Sequence, residues 1–408
     1  MLKTWIEIKR RALEHNFKAI KSFLKPQTKL WAVVKSNAYG HGLILFSQLA
    51  ASLGVDPVRS SPPQGPGGAR LRAGATSNGV NGFCVDSVVE GLKLRQNGIK
   101  KPILVLGPTL PNNSLSDAVK HKITLTISSW EALERLIKSK WQPEFHLKID
   151  TGMHRQGFYL DDLSKVIKQI RNPKSPPASR LRRAGEIRKK LTGVYTHFAS
   201  AKDLNYPTFT DFQFHAFRKA IKKLEVAGFR NLVKHAAATG AALINPEYHL
   251  DAVRVGIGLY GLYPSRELET QLGNKIRLQP ILSWQSVVSE VKNIKKGDYI
   301  GYDLVERVLK PTKMAIIPIG YWHGFDRGLS SIGEVLISGK RAKVLGRVSM
   351  DLIVVDVTGI NCKVGSRATI IGKQGREEIT AGEIAQKLST NHYEILTRIN
   401  PLIERVPK

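Results

Sequence analysis

Between residues 30 and 260 the chain alternates short, β-branched apolar runs with longer stretches of helical period. Runs at 31–35, 80–85, 103–107, 123–127, 145–150, 192–197, 231–236 and 252–256 read as strands. Eight strands separated by helix-length segments predict a parallel α/β barrel of the TIM type. Start and stop signals support the helices between them. Asp86-Ser87 precedes Val88–Leu94, and Gly98 follows as a stop. Ser128-Ser-Trp-Glu131 reads as a capping box opening a helix over 129–139. After about residue 263 the helical period fades. Runs at Ile281–Glu290, Met314–Pro318, Glu334–Ile337, Ala342–Leu345, Leu352–Val357 and Ala368–Ile371 are divided by Gly, Asp and Lys turns, with one helix near 381–388. The expected organisation is an N-terminal eight-stranded parallel α/β barrel over 1–262 and a C-terminal all-β domain over 263–408.

Two stretches break this pattern. Residues 54–79 and 172–189 are rich in Pro, Gly, Ser and Arg and have no period, so they read as disordered insertions on barrel loops. Composition adds limits. The chain has 408 residues, 42% of them hydrophobic, which is enough for a sizeable core. No apolar run approaches the roughly 18 residues that a membrane helix needs, and the N-terminus has no secretory apolar region. Cys84 and Cys362 lack any metal or redox spacing, which fits a reducing cytoplasm and predicts no metal site. The net charge of +30 would attract nucleic acid, but the charges are spread and no nucleic-acid motif accompanies them.

The chemistry begins at Trp31-Ala-Val-Val-Lys35-Ser-Asn-Ala-Tyr39-Gly-His-Gly42. A lysine after four apolar residues stands at the rim of a buried sheet, where a partly desolvated amine suits imine formation. Further glycine-tipped strand ends follow: Phe145-His-Leu-Lys148-Ile-Asp150-Thr-Gly-Met-His-Arg155, Thr192-Gly-Val-Tyr-Thr-His197-Phe-Ala199, Leu232-Val-Lys-His235-Ala-Ala-Ala-Thr239-Gly240 and Asp251-Ala-Val-Arg254-Val-Gly256-Ile257. In the second half come Gly297-Asp-Tyr-Ile-Gly301-Tyr302-Asp303 and Gly346-Arg-Val-Ser349-Met350-Asp351.

In this order these segments resemble the alanine racemases, over nearly the whole chain apart from the two insertions. The resemblance implies that Lys35 holds pyridoxal 5'-phosphate as an imine and that Tyr39 touches its phosphate. Thr239 and the N–H groups of Gly256 and Ile257 would complete the phosphate site. Arg254 would face the pyridine nitrogen, and His197 would bridge Arg254 to a catalytic tyrosine, Tyr302. Arg155 and the Met350 N–H would hold the substrate carboxylate. His235 reads as structural. Lys148 matches a lysine that is carbamylated in some relatives; pairing with a nearby acid is the other reading. The strand Thr4–Ile8 would join the second domain. Ala238-Thr239 stands where the family commonly has asparagine-serine, Ser349 where it often has cysteine, and Pro401 where some members have a phosphate-binding tyrosine.

Racemisation needs two acid/base groups on opposite faces of one carbon, because a single base tends to return the proton to the face it came from. Lys35 and Tyr302 are the implied pair. An unperturbed phenol, with a pKa of about 10, is a poor base at neutral pH, so cations must support Tyr302. An arginine keeps its proton, so Arg254 would leave the ring nitrogen unprotonated and favour racemisation over transamination. The implied activity is interconversion of L- and D-alanine, supplying D-alanine for peptidoglycan, in a homodimer with shared sites. Serine or a broader amino-acid range remains open as substrate. A fold-related decarboxylase, a non-catalytic cofactor-carrying barrel and a nucleic-acid role are the other readings. Arg254 in place of an acid, the presence of residues 263–408, and the scattered charge argue against each in turn.

Overall fold

The eight apolar runs pair side by side into a parallel sheet in the computed structural model, which describes residues 2–53, 79–108, 113–171 and 187–408. The two expected insertions therefore lie outside the described residues except at their edges. The strands in chain order are β1 (Thr4–Ile8), β2 (Lys29–Val33), β3 (Gly82–Val85), β4 (Ile103–Val105), β5 (Leu125–Ile127), β6 (Phe145–Lys148), β7 (Leu191–Tyr195), β8 (Val233–Ala238) and β9 (Ala252–Val255). Strands β2 to β9 form one sheet in the order β4-β3-β2-β9-β8-β7-β6-β5. A parallel bridge between Leu104 and Thr124 closes its two edges into a barrel. Burial of these strands on both faces explains their near-continuous apolar sequence.

Two units group by contact. One contains Leu13–Lys35 and Ser47–Gln279, the barrel. The other contains Met1–Ala12, Ser36–Phe46 and Pro280–Lys408. In this β-rich unit follow β10 (Leu282–Val287), β11 (Glu290–Ile294), β12 (Tyr299–Ile300), β13 (Glu306–Arg307), β14 (Thr312–Ile317), β15 (Glu334–Ile337), β16 (Lys340–Leu345), β17 (Ile353–Asp356), β18 (Arg367–Gln374), β19 (Glu377–Ile379) and β20 (Glu404–Pro407). Their main sheet runs β11-β14-β17-β16-β15-β18-β10-β1-β20. As expected, β1 joins this sheet, antiparallel to β10 and parallel to β20.

Local signals hold with adjustments. Ser87 caps the helix Val88–Gln96 by accepting from the Glu90 N–H, and Gly98 ends it at φ 83°. The capping box at Ser128 shifts by one residue. Ser129 caps Trp130–Lys138 by accepting from the Ala132 N–H at 3.2 Å, while the Ser128 hydroxyl accepts from Gln156 Nε2. In the second half, elements outside the sequence expectation include the helices Arg266–Leu272 and His392–Thr397 and the strands β11, β12, β13, β19 and β20. Both helices are short, with six or seven residues, so little periodicity marks them.

The lysine strand ends earlier than its apolar run. After β2, Val34 donates to the Cys84 carbonyl at 2.8 Å, and the chain then turns left-handed. Ser36, Asn37, Ala38 and Tyr39 have φ between 52° and 55°. This conformation costs non-glycine residues roughly 1–2 kcal/mol each. Such strain persists only where surrounding contacts over-determine it, and it clusters at functional sites.

Candidate active site

In a parallel barrel the C-terminal strand ends face one mouth, and catalytic groups gather there. Lys35 follows β2, Asp86 follows β3, Lys148 ends β6, His197 follows β7, Thr239 follows β8, and Gly256 and Ile257 follow β9. β9 lies between β2 and β8, with Arg254 in register with Trp31 on one side and Ala238 on the other. Lys35 is half-buried and its Nζ stands 3.7 Å from Asp86 Oδ1.

Arg254 is buried, and its guanidinium is fixed on several sides. Nη1 donates to His235 Nδ1 at 2.6 Å. Nη2 donates to the Thr196 and Ala236 carbonyls, each at 2.8 Å, and to His197 Nδ1 at 3.2 Å. Nε has no partner among the described residues. Burial pushes the Arg254 pKa down from the usual arginine value. The carbonyls and neutral imidazoles around it accept its hydrogens and stabilise the cation.

The Arg254 contacts fix three tautomers, that of His197 by the bond to its Nδ1 and those of His235 and His146 in sequence. An arginine cannot accept, so His235 Nδ1 must be the acceptor and its hydrogen sits on Nε2. His235 Nε2 then donates to His146 Nδ1 at 2.8 Å. Burial and the Arg254 charge push the His146 pKa down to about 3 and that of His235 well below its usual value. Burial, reinforced by Arg254, Lys148, Arg155 and Lys35, does the same to His197. All three imidazoles are therefore neutral at physiological pH. Tyr195 stacks on His235 with ring centroids 4.7 Å apart, and the Arg254 guanidinium lies 5.1 Å from the Tyr195 ring centroid. The Thr126 hydroxyl donates to the Val105 carbonyl, so Tyr195 OH donates to Thr126 Oγ1 at 2.9 Å.

His235, read from sequence as structural, thus touches Arg254 directly. Together with His146 and Tyr195 it was missed as part of the site. The only sequence signal was a pair of histidines within two apolar strand runs. Strands buried on both faces do not reveal which residues point inward.

Lys148 is buried, and its Nζ donates to Gln156 Oε1 at 2.8 Å; among the described residues no acid pairs with it. Burial pushes its pKa down to about 7, and Arg155, Arg254 and Lys35 add to the effect. Asp150 shapes the following loop. Its Oδ1 accepts from the N–H groups of Gly152, Met153 and His154, and its Oδ2 from that of Arg155. Burial alone would raise the Asp150 pKa, but these four bonds hold it below the usual carboxylate value. The Arg155 side chain is exposed.

At the expected phosphate position, Thr239 and Gly256 do come together. The Gly256 N–H donates to Thr239 Oγ1 at 3.2 Å. Gly258 leaves room beside this pair: a Cβ there would stand 2.7 Å from Thr239 Cγ2 and would force the threonine to shift.

Tyr39, Tyr302 and Met350 belong to the β-rich unit. Tyr39 ends the left-handed turn, its ring 5.9 Å from that of Tyr393. Tyr302 opens a short 3₁₀ turn after Gly301 and is 68% exposed. The next residue, Asp303, pairs with Arg347 at 2.7 Å. Met350 is also exposed, and its carbonyl accepts from the Trp322 N–H. Two solvent-facing groups of this kind are available to another surface.

Fold and site together define a class: an α/β-barrel enzyme with a cationic strand-end site and a separate β-rich unit. The family models "Alanine racemase, N-terminal domain" and "Alanine racemase, C-terminal domain" match residues 8–59 with 63–264, and residues 281–407. An alanine racemase of Leptospira interrogans is 36% identical over 99% of this chain and 95% of its own length. One from Carboxydothermus hydrogenoformans is 35% identical, with both chains covered completely. The crystal structure of alanine racemase from Bacillus anthracis superposes with a TM-score of 0.82 at 30% identity, covering 100% of this chain and 95% of that one. The chain belongs to the alanine racemase family.

Proposed function

We propose that this protein interconverts L- and D-alanine with pyridoxal 5'-phosphate held on Lys35. The observation that carries the reading is Arg254, one strand from the lysine strand, braced by neutral imidazoles and carbonyls with Nε left over. The donor set fits the cofactor. Lys35 supplies an amine, Arg254 Nε a donor for the ring nitrogen, and Thr239, Gly256 and Ile257 the phosphate contacts, joined by Tyr39. When bound, the cofactor supplies an electron sink for the pair left by α-proton removal. Arg254 offers the ring a hydrogen bond and retains its proton, which limits the sink and disfavours transamination. This also separates the reading from a decarboxylase that uses an acid there.

Lys35 Nζ and the Tyr302 hydroxyl are the two proton carriers, one for each face of the α-carbon. Each takes the α-proton from the enantiomer that presents it on its own face and returns one when that same enantiomer is the product, while the other carrier serves the opposite face. Arg155, on the loop held by Asp150, and the Met350 N–H hold the substrate carboxylate. Tyr302 and Met350 come from a second copy of the chain in this reading, and their exposure supports it. Among the described residues no helix is long and apolar enough to cross a membrane. A cytoplasmic enzyme supplying D-alanine for peptidoglycan follows from the family.

The direct test is incubation of cofactor-loaded protein with L-alanine in deuterated water, followed by chiral separation and mass analysis. D-alanine carrying deuterium at the α-carbon is expected. Recovery of L-alanine alone, without isotope, would exclude the activity.

A further inference from the structure

The strained turn after Lys35 is held by a residue that the reaction does not use. Every carbonyl from Ser36 to Gly40 has a donor. The Ser36 carbonyl takes the Gly40 N–H, that of Asn37 the Gly42 N–H, and that of Ala38 the His41 N–H. His41 Nδ1 serves the Ala38 and Tyr39 carbonyls, each at 3.0 Å. These bonds are all local. The Gly40 carbonyl looks outside the segment, to Arg405 on β20, whose Nε and Nη2 donate to it at 3.1 and 2.9 Å. Remaining donors of the same guanidinium reach the Asn400 carbonyl at 2.8 Å and the Ile403 carbonyl.

The approach is close throughout. A Cβ on Gly40 would stand 2.0 Å from the Leu396 carbonyl oxygen, and one on Gly42 would stand 3.2 Å from Arg405 Cγ. The stem of Arg405 therefore covers Gly42 while its fork grips Gly40. Burial pushes the Arg405 pKa down to about 10, and no carboxylate pairs with it among the described residues. A cation desolvated to serve only carbonyls is a costly arrangement, and the geometry it secures is a run of four non-glycine residues at positive φ.

We propose that Arg405 is a positioning residue: by gripping Gly40 it holds the left-handed turn in place, and so sets the direction in which Tyr39 and the chain leaving Lys35 present themselves to the cofactor. The second half of this statement rests on the cofactor reading above. An arginine is required because two N–H groups converge on one oxygen while others bind carbonyls to the side, which a lysine ammonium cannot do at once.

The test uses cofactor-loaded wild type, Arg405→Lys and Arg405→Ala. Amide hydrogen exchange is followed at 36–43 and in β10 and β18, and release of pyridoxal phosphate is timed by visible absorbance. In Arg405→Ala, exchange at 36–43 should accelerate by about tenfold or more, as expected for local opening, with β10 and β18 unchanged and cofactor release faster in parallel. Arg405→Lys should be intermediate. Added methylguanidine should slow both processes in the alanine variant only. Unaltered exchange at 36–43 overturns the proposal, as does equal acceleration in β10 and β18. Unaltered cofactor release overturns its second half. If the alanine variant does not fold, the lysine variant carries the comparison. Wild type that binds no pyridoxal phosphate sinks the functional reading alone, because exchange at the turn still reports on the grip of Arg405.

Discussion

Lys148 shows what burial does to a single charge. Its pKa falls from 10.5 to about 7, so between these values the unfolded chain binds more protons than the folded one. Stability must then rise with pH across that window, with a slope of up to about 1.4 kcal/mol per pH unit. Lys148→Met should remove this contribution. Denaturant titrations at several pH values should show the wild type gaining on the variant from about pH 7 toward 10.5; parallel curves would contradict the depressed pKa. Arg254 makes a second prediction at this scale. Arg254→Glu should raise the ratio of transamination to racemisation, read as pyruvate formed per D-alanine. An unchanged ratio would refute the account of Arg254 as a donor that keeps its proton.

At the level of elements, neighbouring strands determine what each side chain can touch. Gly193 on β7 pairs with His146 on β6, and a Cβ there would stand 2.5 Å from the His146 ring. Gly193→Ala must displace the imidazole that accepts from His235, and overpacking of this kind typically costs about 1–3 kcal/mol. Thermal unfolding should shift down, and the ¹⁵N signals of His146 and His235 should lose the pattern of an unprotonated Nδ1 with a protonated Nε2. Retention of both would place the His146 ring elsewhere. The strands themselves were legible from β-branched runs, and Ser87 and Gly98 marked their helix correctly. The Ser36–Tyr39 turn was not legible, because only Asn37 among its four residues favours positive φ and the turn is also held by a contact distant in sequence.

For the whole molecule, the two-base reading assigns Lys35 to one chain and Tyr302 to its partner. Lys35→Ala and Tyr302→Phe proteins, each impaired alone, should therefore complement when co-refolded. Random pairing makes half the dimers mixed, each with one intact site of two, so activity should recover to about one quarter of wild type in an isologous dimer. No recovery, with mixed dimers demonstrated by mass, would mean that each chain supplies both groups. The surplus of 63 basic over 33 acidic residues acts at this scale too. Among the described residues, Lys35, Lys148, Arg155 and Arg254 place part of that surplus at the barrel mouth, where an anionic cofactor and a carboxylate substrate would be received.

The order of apolar runs determined the barrel and the β-rich unit, because strand burial writes itself locally into residue type. The glycine-tipped strand ends marked residues that the fold gathers, because a parallel barrel brings all its strand ends of one sense to one face. Only the tertiary structure decided which buried polar groups meet: Arg254 with His235 and His146, Lys148 with Gln156, Asp150 with four amides, Arg405 with Gly40. These partnerships depend on strand register and on which way each side chain points, and neither is encoded in the spacing along a strand that is apolar on both faces.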